Sequence, residues 1–390
     1  MTLSERWLLP DGVDEVLPPH ASKVEATRRR LLDLFSSWGY ELVITPFVEY
    51  LESLLVGTGS DLDLQTFKLV DQLSGRTLGV RADMTPQVAR IDAHHLKAEG
   101  PVRLCYIGSV LRTLPDEQSG NRCPVQVGAE LYGHAGYESD CEVLQLMLAA
   151  LQQAGIEDVF LDVGHVAVYR AICAAIGLEG DDEISLRDIL QRKAKPELTS
   201  RLDELGVAAP WRDMLAALPE LNGPASVLER ARDVLNGAPD EVGIALSELE
   251  AIQSEMTRRG QTLNFDLGEL RGFHYHTGVV FSAFAPGRGY ELARGGRYDR
   301  IGEAYGNARP ATGFSTDLLV LAELAMGDAD ESEKAPIEVP WVADSELDEL
   351  VDALRKQGER VVRQFPNTPP SRNENRRQIV RELGSWVVRP

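Results

Sequence analysis

The amino-acid sequence predicts an α+β fold in which helices cover an antiparallel sheet. The first observation is that apolar runs come in pairs joined by short polar turns, and the clearest pair is Phe67–Val70 and Thr77–Val80 around Ser74-Gly75. The second is the presence of helices with one apolar face, as in residues 139–154. The third is that the 390 residues contain no GxGxxG or phosphate-loop fingerprint. Such a fingerprint would favour a doubly wound parallel sheet.

The first part of the chain alternates between predicted helices and strands. Residues 23–38 place apolar side chains at helical spacing, Gly39 ends that helix, and Pro46 closes the strand after it. In order, the predicted elements are helix 23–38, strand 40–45, strands 67–70 and 77–80, helix 86–98, strands 103–111 and 125–132, helix 139–154 and strand 159–163.

The character of the chain changes after about residue 166. Residues 167–260 are rich in Ala, Leu and Glu, show helical periodicity and are broken at prolines and glycines, which predicts a helical insertion within the sheet-based domain. The elements predicted after the insertion are strands 263–267, 278–284 and 290–293, followed by a glycine turn and an apolar helix within 310–324.

Three segments make up the predicted domain organisation. Residues 1–326 form the sheet-based domain, 327–334 a charged linker and 335–390 a small C-terminal α/β appendage. An independent α/β domain typically needs ~100 residues or more, so we interpret the appendage as truncated. Its predicted elements are strand 337–342, helix 345–357, strand 360–364 and strand 385–388.

Composition indicates an ordinary soluble globular protein, with 43% apolar and 26% charged residues. No apolar run approaches the roughly 20 residues that span a bilayer, and no secretion signal is visible. The four cysteines share no CxxC spacing, which favours buried thiols in a reducing cytoplasm over a metal site. They are Cys105, Cys123, Cys141 and Cys173.

The formal net charge of −21 bears on the class of partner. Nucleic-acid binders usually carry a basic surface, because much of their affinity comes from neutralising phosphates. The charge therefore counts against tRNA or another nucleic acid as a partner.

Several polar motifs follow one another in a recognisable order. They are Arg81-Ala-Asp-Met-Thr85, Tyr106-Ile-Gly-Ser-Val-Leu-Arg112 with Arg122, Gln126, Gly128 and Glu130, Arg271-Gly-Phe-His-Tyr-His-Thr-Gly278, Gly295-Gly-Arg-Tyr-Asp299 and Pro310-Ala-Thr-Gly-Phe314. Over roughly residues 5–326, this order resembles the core of class II aminoacyl-tRNA synthetases, and specifically the histidyl-tRNA synthetases. Helix 23–38 with the strand before Pro46 is similar to the family's first motif, which forms the dimer interface.

The resemblance implies a pocket that recognises histidine, and the residue types suit that ligand. Carboxylates and a hydroxyl can accept hydrogen bonds from the ammonium and the imidazole, guanidinium groups match a carboxylate bidentately, and aromatic rings can wall the imidazole. The implied set is Asp83, Thr85 and Glu130 for the cationic and N–H groups, Arg112, Gln126 and Arg271 for the carboxylate, and Tyr275, His276 and Tyr298 for the ring.

The sequence departs from the synthetase pattern where that family binds ATP. Leu114 replaces a glutamate and Pro124 an adenine-stacking phenylalanine of the second motif, while Asp317 replaces a glycine and Val320 the triphosphate-binding arginine of the third. Each lost charge-assisted contact would be worth ~1.5–3 kcal/mol, so adenylate chemistry is predicted to be absent. His274 and His276 also differ from the acidic residue and the tyrosine of the family motif.

With these departures, the chain resembles the regulatory subunits of ATP phosphoribosyltransferase, synthetase-like proteins of histidine biosynthesis. That resemblance implies a non-catalytic homodimer within a hetero-oligomer, joined to the short catalytic subunit and mediating allosteric feedback by histidine. It implies no catalytic residue, cofactor, metal, tRNA or membrane. The alternatives are an active histidyl-tRNA synthetase, another synthetase-like amino-acid-binding protein or ligase, and a scaffold that activates the catalytic subunit without binding a ligand.

Overall fold

The computed structural model describes residues 8–56, 60–115, 120–270, 272–273, 275–325, 336–367 and 377–389. They form two compact units on either side of the Ala325–Met326 bond. The predicted linker 327–334 lies outside the described residues.

The first unit is built on a large, mainly antiparallel sheet. The strands of this unit are β1 Glu41–Leu42, β2 Val48–Tyr50, β3 Phe67–Val70, β4 Thr77–Val80, β5 Val102–Ser109, β6 Val125–Tyr132, β7 Phe160–His165, β8 Asn222–Gly223, β9 Leu263–Asp266, β10 Val279–Phe284, β11 Glu291–Arg297 and β12 Ala311–Asp317. Nine of them form one sheet in the order β1-β5-β6-β12-β11-β10-β7-β9-β8, and β2-β4-β3 forms a small second sheet. Only the β1–β5 and β7–β9 pairs are parallel among these described strands. The predicted α+β class is confirmed.

Helices of the first unit cover the large sheet and form the insertion between β7 and β9. They are α1 His20–Ser37, α2 Leu51–Leu54, α3 Ser60–Gln65, α4 Thr85–Arg90, α5 Tyr137–Gln153, α6 Val166–Ala175, α7 Asp181–Gln191, α8 Lys195–Glu204, α9 Trp211–Ala217, α10 Ser226–Val234, α11 Asp240–Arg258 and α12 Leu318–Leu324. A π-helical turn, Ile91–Leu96, continues α4 in place of the single helix predicted over 86–98.

Alternation along the central strands separates the apolar core from a polar face. On β6, the side chains of Val127, Ala129 and Leu131 are buried in the main core, which also contains residues of α1 and α5. The intervening Gln126 and Glu130 therefore lie on the opposite face, next to the small core around Tyr106. This second face carries the candidate site.

Two glycine-containing segments differ from their predictions. The sequence predicts a glycine turn followed by an apolar helix within 310–324. The helix is present as α12, but the predicted turn is wrong, because Ala311–Asp317 is β12 in the middle of the sheet. Likewise β11 extends to Arg297 instead of ending at Ala293. Glycine usually weakens a strand, but here it leaves room for large side chains from neighbouring strands. The predicted strand 40–45 is also shorter, since only β1 pairs with β5.

The second unit is a four-stranded sheet with one helix. Its elements are β13 Ile337–Pro340, α13 Ser345–Lys356, β14 Val361–Gln364, β15 Arg377–Glu382 and β16 Ser385–Arg389. The strand order is β14-β13-β15-β16, with β13 parallel to both neighbours and an antiparallel β15–β16 hairpin. Strand β15 was not predicted. A small core around Ile337, Leu347 and Ile379 holds the sheet and helix together.

Candidate ligand-binding site

Two neighbouring cavities lie on the polar face of the large sheet. The inner cavity has a volume of about 570 Å³, and the outer cavity about 510 Å³. Gln65, Glu291, Arg294 and Ser315 line both, so the two cavities are adjacent.

The structure distributes the predicted ligand residues over both cavities. Six line the inner one: Asp83, Thr85, Glu130, Tyr275, His276 and Tyr298. Arg112 and Gln126 line the outer one. Arg271, together with His274, lies outside the described residues.

Glu130 is the centre of a hydrogen-bond network at the floor of the inner cavity. Its Oε1 accepts hydrogen bonds from Tyr106 Oη at 2.9 Å and Thr85 Oγ1 at 3.1 Å, and its Oε2 accepts one from Tyr298 Oη. Tyr298 Oη also lies 3.4 Å from Tyr132 Oη. Side chains from β5, from α4 and from the segment just after β11 thus converge on one carboxyl group, which fixes its position.

Burial controls the protonation of this network. It raises the pKa of Glu130 to about 8, although the hydrogen bonds from Tyr298, Tyr106 and Thr85 act in the opposite direction. Burial also raises the pKa of the Tyr106 and Tyr298 phenols well above the ordinary value, so both remain hydrogen-bond donors. Near neutral pH, Glu130 can therefore accept or donate a proton at little cost, which is a property of ligand-binding carboxyl groups.

Asp83 and Gln126 form the link between the cavities. Gln126 Nε2 donates to Asp83 Oδ1 at 3.0 Å, and Gln126 Oε1 accepts from the Met84 backbone N–H at 2.9 Å. Asp83 Oδ1 also accepts from the Thr85 backbone N–H at 2.8 Å. This arrangement places a carboxylate at the edge of the inner cavity with one oxygen engaged by the protein.

Aromatic side chains form one wall of the inner cavity. The Tyr275 and Tyr298 rings stack, with centroids 4.8 Å apart and planes inclined by 29°. The buried Tyr275 Oη has no hydrogen-bond partner among the described residues. The His276 ring packs against Gly272 and Gly296, where a Cβ would stand 2.7 and 2.8 Å from its nearest ring atoms. Burial lowers the pKa of His276 to about 4, so the ring is neutral at physiological pH.

The outer cavity brings together all four positions that depart from the synthetase pattern. Leu114, Pro124, Asp317 and Val320 line it. Asp317 Oδ1 accepts hydrogen bonds from the backbone N–H of Leu319 at 3.0 Å and of Val125 at 3.2 Å. The Asp317 carboxylate therefore caps α12 and occupies the helix end with negative charge, which disfavours a phosphate there.

Comparison with known proteins then decides the family. A sequence profile described as Histidyl-tRNA synthetase matches residues 12–321, and one described as ATP phosphoribosyltransferase subunit HisZ C-terminal domain matches residues 334–389. The chain is 57% identical over 364 residues to an ATP phosphoribosyltransferase regulatory subunit of Thioalkalivibrio sulfidiphilus, covering 93% of this chain and 92% of that one. The chain belongs to the ATP phosphoribosyltransferase regulatory subunit family.

Solved structures agree with this assignment. A Bacillus halodurans protein described as an ATP phosphoribosyltransferase regulatory subunit/histidyl-tRNA synthetase has a TM-score of 0.82 at 28% identity, covering 95% of this chain and 97% of that one. Histidyl-tRNA synthetase from Nostoc sp. PCC 7120 has a TM-score of 0.75 at 18% identity, covering 93% and 87%, and thus shares the fold. These relatives confirm the prediction of a regulatory rather than a catalytic protein, and they do not support an active histidyl-tRNA synthetase.

In this regulatory subunit, several residues that line the cavities were not among those predicted from the sequence motifs. Glu291 and Arg294 on β11 line both cavities, and Ile184 and Arg187 bring the insertion helix α7 to the inner one. Tyr106 lies within a predicted motif, but its role under Glu130 was missed. Strand alternation carried the signal for Tyr106, since Leu104 and Tyr106 face away from the main core. Nothing in the local sequence indicated that α7 would reach the cavity.

Within the part of the chain that the structure describes, no group of three or more His, Cys, Asp and Glu side chains is arranged to hold a metal ion. None of the helices in the described ranges has the length and apolar character to cross a bilayer.

Proposed function

We propose that this regulatory subunit binds histidine in the inner cavity and thereby controls the short catalytic subunit of ATP phosphoribosyltransferase. The observation that carries the proposal is the Glu130 network beside the Tyr275–Tyr298 stack. A buried carboxyl group with a pKa of about 8 suits an imidazole N–H, and the stacked phenol rings suit the faces of a small aromatic ring.

The proposed pose uses the remaining predicted residues for the amino-acid end of the ligand. Asp83 faces the inner cavity and accepts the ammonium group, while the carboxylate points toward Arg112. Arg112 forms no ion pair with an Asp or Glu side chain within the described residues, and its Nε makes one long contact of 3.4 Å to the Ala82 carbonyl. A half-buried guanidinium in that state favours an anionic ligand group. Arg271 is proposed as a second carboxylate ligand from the motif alone.

The proposed partner is the short catalytic subunit, which condenses ATP with phosphoribosyl pyrophosphate under histidine feedback. The coupling free energy is expected to be ~1–3 kcal/mol, and it is reciprocal. The catalytic subunit should therefore change the histidine affinity of this chain by the same factor that histidine transmits to catalytic-subunit binding.

A homodimer within this hetero-oligomer is also proposed. Exposed apolar side chains gather near β1 at the edge of the large sheet, and Leu42, Ile44, Phe47 and Val48 are all exposed. Such a patch is typical of a protein interface. The net charge of −21 supports the absence of tRNA from the assembly. We infer a cytoplasmic location, where the free Cys105, Cys123, Cys141 and Cys173 would remain reduced.

Isothermal titration tests the proposed ligand. Histidine should bind the wild-type chain, alone or with the catalytic subunit. Glu130→Gln should weaken binding by ~1–3 kcal/mol, because an amide nitrogen cannot accept the hydrogen bonds that the Glu130 oxygens accept from Tyr106 and Tyr298 and a buried polar group is left unpaired. Glu241→Gln, an exposed glutamate on α11, is the matched control and should bind as the wild type does. No heat of binding in either setting would refute the sensor role.

Co-expression with the short catalytic subunit separates the remaining alternatives. A complex with phosphoribosyltransferase activity that histidine inhibits supports the full proposal. Activity without histidine sensitivity would support the scaffold alternative. Histidine-dependent pyrophosphate exchange by this chain alone would support a synthetase, and we expect none, because Asp317 and Val320 replace the family's nucleotide contacts.

A further inference from the structure

The turn that carries Tyr275 and His276 is held by the helical insertion. We call residues 272, 273 and 275–278 the wall turn. Arg170 Nη2 on α6 donates hydrogen bonds to the carbonyl of Phe273 at 2.7 Å and to that of His276 at 3.0 Å. The same guanidinium lies 4.5 Å from the Phe273 ring centroid. One side chain therefore contacts the turn at two carbonyl groups and one aromatic ring.

The residue before Arg170 adds a second contact to the same turn. Tyr169 is fully buried, and its ring meets Phe273 edge to face, with centroids 5.5 Å apart and planes at 73°. Two consecutive residues of α6 therefore enclose Phe273. An aromatic side chain packed in this way has little freedom to rotate, and the backbone around it is restrained accordingly.

The start of α6 is fastened to the end of the wall turn. The Val166 backbone N–H donates to the Gly278 carbonyl at 3.1 Å. His165, which precedes α6, accepts a hydrogen bond from the Ala167 N–H at its Nδ1, and its Nε2 lies 2.9 Å from Glu248 on α11. These contacts hold the start of α6 in place, and they therefore fix the position from which the Arg170 side chain extends to the wall turn.

The large sheet and the segment after β11 hold the wall turn through hydrogen bonds at Thr277. The Thr277 backbone N–H donates to the Arg297 carbonyl at 2.7 Å, and Thr277 Oγ1 accepts from the Asp299 N–H at 3.0 Å. Phe273 and His276 instead receive their carbonyl contacts from Arg170, which forms no ion pair with an acidic side chain among the described residues. The position of the cavity wall thus depends on the insertion as well as on the sheet.

We propose that Arg170 is a positioning residue for the inner cavity and couples the helical insertion to ligand occupancy. It holds the carbonyls of the wall turn, and through them the Tyr275 and His276 rings, without lining the cavity itself. Movement of α6 changes the cavity wall, and a ligand that fixes the wall restrains α6 in return, because coupling is reciprocal. This inference rests on the proposed histidine site for its ligand but on the contacts above for its mechanism.

Three variants test the positioning role in the full-length chain. Arg170→Met removes both hydrogen bonds, whereas Arg170→Lys keeps the charge and can reach one carbonyl without the planar stack. Arg192→Met is the matched control, because Arg192 is an exposed arginine of the same insertion that pairs with Glu197 at 2.9 Å. Circular dichroism and thermal unfolding verify that each variant is folded.

Histidine titration and amide hydrogen exchange supply the two measurements. We expect Arg170→Met to weaken histidine binding by roughly tenfold or more, since a wall displaced by about 1 Å can cost that much. Arg170→Lys should recover part of the affinity, and Arg192→Met should match the wild type. Without ligand, the amides of Tyr275 to Gly278 should exchange faster in Arg170→Met only. In the wild type, saturating histidine should slow exchange in α6, and Arg170→Met should lose that effect.

Two results would overturn the proposal. One is wild-type histidine affinity in a folded Arg170→Met variant, and the other is wall-turn exchange unchanged by that variant. If the wild type binds no histidine, the proposed ligand fails, and the ligand-free exchange comparison alone then decides the positioning role. A loss of affinity equal in Arg170→Met and Arg192→Met would indicate a general effect on the insertion and would also count against it.

Discussion

The carboxyl group of Glu130 lies over the α-carbon of Gly313, its cross-strand neighbour on β12. A Cβ at position 313 would stand 1.5 Å from Glu130 Oε2. The missing side chain lets Glu130 extend across β12 to the phenol of Tyr298 beyond β11. One glycine therefore creates the polar floor of the inner cavity.

Replacing that glycine should dismantle the floor. We expect Gly313→Ala to displace Glu130, abolish measurable histidine binding and lower the free energy of unfolding by ~2–4 kcal/mol through overpacking of a buried polar network. Urea denaturation and isothermal titration measure the two effects. Gly289→Ala serves as the control, because a Cβ at Gly289 would meet no atom within 4 Å. Unchanged histidine binding by Gly313→Ala would contradict the assignment of this floor.

Glu130 should make stability decrease as the pH rises from about 4.5 to about 8. Its folded-state pKa of about 8 lies above the ordinary 4.5, so between these values the folded chain holds a proton that the unfolded chain has released. Stability from this group is thus present at low pH and decreases as the pH rises through 8. The slope would approach ~1.4 kcal/mol per pH unit within that window.

Glu130→Gln isolates this dependence because the amide does not titrate. We expect urea denaturation at pH 5.5, 7 and 8.5 to show that the unfolding free energy of the wild type falls relative to that of Glu130→Gln as the pH rises. A difference that stays constant across this range would show that Glu130 does not carry a raised pKa.

His276 should act in the opposite direction, on the acid side. Burial lowers its folded-state pKa from 6.5 to about 4, so the unfolded chain binds the proton first as the pH falls. Its stabilising contribution is complete above pH 6.5 and is lost as the pH falls toward 4. We expect the melting temperature of the wild type to fall more steeply from pH 7 to pH 4.5 than that of His276→Gln. Parallel curves would refute the prediction.

Asp317 should prove to be a structural cap and not a remnant of nucleotide chemistry. Asp317→Ala removes the acceptor of the Leu319 and Val125 N–H groups and should cost ~1–2 kcal/mol of unfolding free energy. Asp317→Asn keeps a side-chain oxygen and should lose less. Neither variant should bind ATP in equilibrium dialysis. Equal stability of all three proteins would argue against the cap.

Much of the fold followed from local patterns. The β3–β4 hairpin and β6 coincide with their predicted limits, because strict alternation and turn residues are read over a few neighbouring positions. The sequence does not predict strand β12, for a reason that is visible only in the three-dimensional structure. Gly313 resembles a turn residue in sequence, and its true role is to leave space for Glu130 from the adjacent strand.

The candidate site could also be predicted only in part from the sequence. The motif containing Asp83 and Thr85 and the one containing Gln126 and Glu130 could be chosen from the sequence because they resemble motifs of the histidyl-tRNA synthetases. The structure places Asp83, Thr85 and Glu130 at the inner cavity and Gln126 at the outer one. Their separation into two cavities could not be predicted, because it depends on how β6, β11 and β12 are ordered in the sheet. The raised pKa of Glu130 likewise depends on burial by other strands.

By itself, the sequence determined the α+β class, the order of the motifs and the loss of the nucleotide contacts at Leu114, Pro124, Asp317 and Val320. These are properties of residue type and spacing, which are present in the chain before it folds. Only the tertiary structure decided that Gly313 makes room for Glu130 and that Arg170 grips the wall turn. Both depend on contacts between residues more than a hundred positions apart, and local sequence carries no record of such proximity.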